Sequence, residues 1–168
     1  MIVILMGVAG SGKTTVGVAL ARELAWDFID SDLLHPASNI SRMQEGLPLE
    51  DADRAPWLNR IRRLTEDLLE NGRSSVIACS ALKRQYRLAI NPDPDRVRFV
   101  YLKGPLAVLQ MRLEKRAGHF FRANLLPSQF EALEEPRENE AVIVDANQPV
   151  DEIVKAIRHG LNLEFPTV

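Results

Sequence analysis

The stretch MIVILMGVAGSGKTTVGVALAREL, Met1 to Leu24, decides the fold. Residues 2 to 6 are apolar without interruption, the pattern of a strand buried on both faces of a parallel sheet. Val16, Leu20 and Leu24 recur at i, i+4 and i+8, which predicts a helix. Between the two lies GVAGSGKT, Gly7 to Thr14, a match to G-x-x-x-x-G-K-[ST] placed between strand and helix, where that motif carries meaning. Glycines let the backbone wrap around phosphates with its N–H groups inward, and the helix start adds the positive end of its dipole. Gly7, Ala9, Gly10, Ser11, Gly12, Lys13, Thr14 and Thr15 are the expected nucleotide contacts. Lys13 should reach the outer phosphates and the Thr14 hydroxyl should bind Mg²⁺, so a nucleoside triphosphate is the expected ligand.

Working outward, the alternation of strand and helix continues. A second short strand ends near Asp30; SVIAC, VRFVYL and AVIVDA read as three more. Trp57, Ile61, Leu64 and Leu68 mark a helix with Pro56 in its first turn and Gly72 at its C-terminal cap. Further helices are expected at about 81–90, 105–116 and 149–160. The result is an α/β fold, a mainly parallel five-stranded sheet flanked by helices, in one domain spanning 1–168 with a mobile insert near 117–135.

Composition narrows the function classes. The 168 residues suit one domain with a sizeable core. The single cysteine, Cys79, lies in an apolar run, fits a small buried hydrophobe, and points to a reducing, cytoplasmic setting. A net charge of −2 argues against binding nucleic acid by bulk electrostatics. No segment approaches the roughly 20 apolar residues of a membrane span, and no basic residue precedes MIVILM as a signal peptide would require.

A phosphate loop alone leaves a kinase, a motor, a switch and an assembly factor open. The strand SSVIACS ends in Cys79 and Ser80 rather than in a metal-positioning aspartate, so the acidic function must come from elsewhere. FIDSDLLHPASN, Phe28 to Asn39, supplies it: Asp30 and Asp32 fall at the end of a strand, on the edge that opens onto the ligand crevice. One carboxylate can hold the metal's water shell while the other takes the proton of an incoming hydroxyl. A helix-capping turn is the simpler alternative for the same residues.

Seven blocks carry a family resemblance: GVAGSGKT, DSDLLHPASNI, RMQEGLPLEDADRAPWL, ACSALKRQYR, YLKG, RLEKRAGHFF and LLPSQFEALEEP. Their order and spacing resemble those of the small phosphate-loop gluconokinases. The resemblance implies a fold related to the adenylate and shikimate kinases, and transfer of phosphate from ATP to the terminal hydroxyl of D-gluconate. Of the two carboxylates, Asp32 is taken as the base and Asp30, with Thr14, as the metal side, although the residues alone leave the reverse assignment open. The small-molecule partner is then gluconate, and a homodimer is compatible. Ser31 stands where the family commonly has glycine, a substitution that would be strained if φ there were positive.

Gluconate presents a carboxylate and a row of hydroxyls, so its pocket needs a cation and several hydrogen-bonding groups. His35, Arg54, Ser80, Lys83, Tyr86 and Arg87 are the candidates, with Lys83 and Arg87 expected on one helix face. The resemblance also implies a lid in which Arg112 lies near adenine or ribose and Arg116 meets the transferring phosphate. Gly118 is a hinge candidate, Phe120 and Phe121 suit lid packing, and Arg122 is the alternative cation. A switch protein would have no need to keep Asp32, Arg54 and Lys83 beside a complete phosphate loop.

Overall fold

The computed structural model describes residues 1–115 and 125–163. Five parallel strands stand in the order β2-β3-β1-β4-β5: β1 Ile2–Met6, β2 Asp27–Asp30, β3 Ser75–Ala78, β4 Val97–Lys103 and β5 Ala141–Asp145. The central strand, β1, is fully buried at every position, as its unbroken apolar run requires. It pairs with β3 on one side and β4 on the other, so the loops that leave its C-terminal end open into a crevice.

Helices cover both faces. On one, α3 (Asp51–Glu70) and α4 (Arg84–Ile90) pack Trp57, Ile61, Leu68, Tyr86 and Ile90 onto Ile2, Ile4 and Ile77. On the other, α1 (Lys13–Leu24) and α7 (Val150–Leu161) bring Val16, Leu20, Val154 and Ile157 onto Val3, Leu5 and Val100. Cys79 lies fully buried in the first of these clusters, and burial pushes its thiol up to about 12, in keeping with an inert hydrophobe. Two short helices, α5 (Leu106–Glu114) and α6 (Leu126–Ala132), close over a smaller cluster of Val8, Leu82, Leu109, Leu113 and Leu126 beside the crevice. The remaining helix, α2 (Ala37–Gln44), follows a 3₁₀ turn at Ser31–Leu34. Among the described residues no helix is long and apolar enough to cross a membrane.

The helix expected from Pro56 begins five residues earlier. Glu50 and Asp53 cap α3 reciprocally, the Glu50 side chain accepting from the Asp53 backbone and the Asp53 carboxylate from the Glu50 N–H at 2.9 Å. Pro56 therefore sits inside the helix. The bond it cannot make would have gone to the carbonyl of Ala52, and both residues are exposed, so water can satisfy that carbonyl. The C-terminal expectation holds: Gly72 follows the helix at φ +65°. The lid expectation divides. Residues 116–124, with Arg116, Gly118, Phe120, Phe121 and Arg122, lie outside the described residues, whereas α6 is packed, with Leu125 and Leu126 buried.

Candidate active site

The crevice beside β1 holds a cavity of about 420 Å³ lined by the phosphate loop, Asp30, Asp32, Ser80 and Gln129. Gly10 turns the loop at φ +78°, and a Cβ there would stand 2.8 Å from the Leu109 carbonyl, so both backbone and space demand glycine. The loop leads straight into α1, whose cap is Gly12 in the left-handed region. The Lys13 ammonium donates to the carbonyls of Gly7 and Val8, 3.0 Å from each. From just beyond the end of β3, the Ser80 carbonyl accepts the Gly7 N–H at 3.2 Å and steadies the loop's entry.

Asp30 ends β2 and works in two directions. Its Oδ1 accepts the Asp32 backbone N–H at 3.0 Å, capping the 3₁₀ turn, and its Oδ2 accepts the Thr14 hydroxyl at 3.2 Å. The capping alternative is therefore real for Asp30, but it leaves one carboxylate oxygen on the motif threonine. A hydroxyl and a carboxylate so placed suit Mg²⁺, which takes few protein ligands and leaves the rest to phosphates and water. No cluster of three or more acidic, histidine or cysteine groups that could hold a metal unaided occurs among the described residues. Positive φ at non-glycine positions is confined, among the described residues, to Ala25, Ala81 and Asn162. Ser31 is not one of these, so serine in the Asp-x-Asp turn carries no left-handed strain.

The turn that presents Asp32 is pinned from below. Trp57 Nε1 donates to the Ser31 carbonyl at 2.7 Å, and the Trp57 ring stacks on His35 with centroids 4.3 Å apart. His35 is buried, and Asn39 Nδ2 lies 3.3 Å from its Nδ1. Burial, then the nearby Arg54 and Arg60 cations, lower its pKa to about 4. At neutral pH this is an uncharged ring inside the fold. His35 was expected to touch the acceptor; it lines none of the cavities around the crevice and supports the Asp32 turn instead.

That depressed pKa has a sign. The unfolded chain binds the proton near the ordinary histidine value, the folded chain only near 4, so between these limits the unfolded state holds more protons. His35 thus stabilises fully above about 6.5, and its contribution is lost as pH falls toward 4. Urea titrations across that window should show the wild type losing more stability than His35→Gln; parallel curves would mean the ring is not buried neutral.

A second cavity, about 120 Å³, adjoins the first through Met43 and Gln129 and is walled by Asp51, Arg54, Lys83, Tyr86 and Ser128. Its polar groups are organised around Asp51. Lys83 Nζ donates to Asp51 Oδ1 at 2.7 Å, the Tyr86 hydroxyl donates to the same oxygen, and Gln85 Nε2 donates to Oδ2 at 2.9 Å. The Lys83 and Tyr86 hydrogen bonds hold the Asp51 carboxyl down at about 2. Arg54, in the first turn of α3, lies over the Tyr86 ring at 5.7 Å. Its guanidinium makes no hydrogen bond or ion pair among the described residues, so the cavity holds one cation already matched by a carboxylate and one that is not.

Lys83 and Arg87 do not share a face. Lys83 is the N-cap residue of α4, not part of it. Arg87 turns inward, 5% exposed, and one nitrogen donates to the carbonyls of Ala81, Leu82 and Glu134 at 3.0–3.2 Å. Ala81 has φ +43°, a left-handed alanine immediately after Ser80. Arg87 therefore braces a strained turn beside the crevice, where it was expected to meet the acceptor. Removing a buried cation that serves three carbonyls should cost about 3 kcal/mol. Arg87→Ala should lower Tm by roughly 5–10 °C in calorimetry. A raised KM for the acceptor at unchanged Tm would return Arg87 to the ligand side.

On the far side of the phosphate loop a third cavity, about 320 Å³, is lined by Gly10, Gly12, Thr15, Arg112, Ala146 and Gln148. Arg112 Nη1 donates to the Ala146 carbonyl at 2.9 Å, which holds the guanidinium at the cavity wall. The three spaces adjoin one another: Gly10, Gly12 and Thr15 wall both the Arg112 cavity and the Asp30–Asp32 cavity, and Met43 and Gln129 wall both the latter and the Arg54 pocket. Sequence reading missed two members, Asp51 and Gln129. Asp51 follows the capping Glu50 and reads as a first-turn acid; Gln129 lies within the block LLPSQFEALEEP, but nothing in that block singles it out as a site residue.

Comparison with known proteins agrees with this geometry. The shikimate kinase family model matches residues 9–161. The chain is 42% identical over 160 residues to the thermosensitive gluconokinase of Escherichia coli K12, covering 94% of this chain and 86% of that protein. A gluconokinase structure from Sinorhizobium meliloti 1021 superposes with a TM-score of 0.83 at 44% identity, covering 95% of this chain and 90% of the other. The unliganded structure of a sugar kinase from Janibacter superposes with a TM-score of 0.90 at 39% identity, covering 96% and 94%. Matched along nearly its whole length in both sequence and fold, the chain belongs to the gluconokinase family.

Proposed function

We propose that the protein transfers the γ-phosphoryl group of ATP to the terminal hydroxyl of D-gluconate, giving 6-phosphogluconate and ADP. The observation that carries this reading is the row of adjoining cavities that runs from Arg112, along the phosphate loop and the Asp30–Asp32 edge, to a pocket with Arg54 at its end. In this reading Arg112 meets the adenosine end, while the loop N–H groups and Lys13 hold the phosphates. Thr14 and Asp30 would hold Mg²⁺, which when bound neutralises charge on the β- and γ-phosphates.

The chain's own groups then divide the chemistry. Asp32, on the cavity wall past Asp30, orients the acceptor hydroxyl and takes its proton as the new P–O bond forms. Ser80 flanks that hydroxyl. At the other end Arg54 pairs with the gluconate carboxylate, and Asp51, Tyr86 and Lys83 offer acceptors and donors to the hydroxyls between. Lys83 contributes less to the carboxylate than Arg54, because Asp51 already matches its charge. Arg116 remains the proposed cation on the transferring phosphoryl group. The test is ADP release measured with a panel of sugar acids and sugars, with and without Mg²⁺. Turnover should need both gluconate and Mg²⁺; acceptor-independent hydrolysis at the same rate would favour a nucleotide-driven switch.

A further inference from the structure

Helix α6 reaches the phosphate loop at one point. Gln129 Oε1 accepts the Ala9 backbone N–H at 2.7 Å, and Gln129 also lines both the phosphate cavity and the acceptor pocket. The helix itself is anchored: Leu126 is fully buried among Val8, Leu82 and Leu109, and the Ser128 hydroxyl donates to the Leu125 carbonyl at 2.8 Å. Motion at this point therefore falls to the glutamine side chain, whose rotation breaks one hydrogen bond and leaves the packing intact.

The position of Ala9 says which phosphate is involved. Gly10 and Gly12 line both the Arg112 cavity and the central cavity, whereas Ala9 lines only the central one, with Asp32. For a nucleotide entering from Arg112, the Ala9 N–H lies on the acceptor side of Gly10 and Gly12, the side toward which the outermost phosphate would extend. One N–H makes one good hydrogen bond, so the amide oxygen of Gln129 and an oxygen of the terminal phosphate exclude each other there.

We propose that Gln129 discriminates triphosphate from diphosphate by competing for the Ala9 N–H, so that only a nucleotide with a γ-phosphate displaces it from the loop and frees it toward the acceptor pocket. The inference rests on the nucleotide path proposed above and deepens it. A neutral amide suits this role, because it accepts the N–H when no phosphate is there and yields without the repulsion that a carboxylate would bring to a triphosphate.

The experiment is titration calorimetry of Gln129→Ala, Gln129→Glu and wild type with Mg²⁺ and either ADP or a non-hydrolysable ATP analogue. Losing the competing hydrogen bond should tighten analogue binding about fivefold in Gln129→Ala and leave ADP unchanged. Gln129→Glu is isosteric and keeps the acceptor, so it should fold as the wild type does. It should weaken the analogue at least about tenfold more than ADP. Equal responses to the two nucleotides, or an analogue bound no tighter by Gln129→Ala, would overturn the role of Gln129. Wild-type protein that binds neither nucleotide would instead overturn the reading of the path itself, and the proposal with it.

Discussion

Asp32→Asn is expected to lower kcat by about 10² or more while the dissociation constant for ATP stays within about threefold of wild type. The asymmetry follows from where Asp32 stands. Lys13 donates to the Gly7 and Val8 carbonyls and Thr14 to Asp30, and replacing Asp32 leaves each of these contacts with the loop in place. Asparagine keeps the size and the backbone N–H that caps onto Asp30, so the 3₁₀ turn should survive. What it cannot do is take a proton. Asp30→Asn should behave differently, because its Oδ2 is on the motif threonine: the Mg²⁺ concentration needed for half-maximal rate should rise. Initial rates with directly measured ATP affinity decide between them, and a near-normal kcat for Asp32→Asn would place the base elsewhere.

The frame of this site was legible in the sequence because it is built from signals that act locally. Apolar runs located four of the five strands to within a residue or so: β1 and β3, buried throughout, show no polar side, while β4 and the edge strand β5 keep their apolar signal although Arg98 and Ile143 are exposed. The phosphate loop and the Asp30–Asp32 edge followed from motif and strand end. What failed did so where a stronger local or distant contact overrode the pattern. Pro56 looked like a first-turn residue, but the Glu50–Asp53 cap starts α3 earlier. Lys83 and Arg87 had the spacing of one helix face, but the helix begins only after Lys83 and Arg87 is drawn inward by three carbonyls around a left-handed alanine. His35 had the chemistry of a ligand, but Trp57, 22 positions on in the chain, claims its ring. Gln129 meets Ala9 across 120 residues, and no periodicity encodes such a contact.

The largest discrimination should be between acceptors: kcat/KM for gluconate is expected to exceed that for glucose, or for the open-chain hexitol of the same length, by on the order of 10⁴. All three offer a terminal hydroxyl to Asp32, so the difference must arise at the other end of the pocket. There Arg54 lies against Tyr86 with no carboxylate of its own, while Lys83 is matched by Asp51. Gluconate completes Arg54 with a charge-assisted, two-pronged hydrogen bond. The hexitol leaves the guanidinium confined and unpaired once the pocket is filled, and that penalty, rather than any missing contact with the reacting atoms, is what rejects it. Arg54→Ala should therefore lower kcat/KM for gluconate by about 10²–10³ and raise that for the hexitol by relieving the penalty, shrinking the ratio from both sides. Lys83→Ala should have the smaller effect and act on all acceptors alike, since it strips a partner from Asp51 rather than from the carboxylate. Measuring kcat/KM for the three acceptors on wild type and both variants separates these outcomes: equal losses for gluconate and hexitol in Arg54→Ala would make Arg54 a support for Tyr86, and comparable wild-type values for gluconate and glucose would remove the sugar acid as substrate.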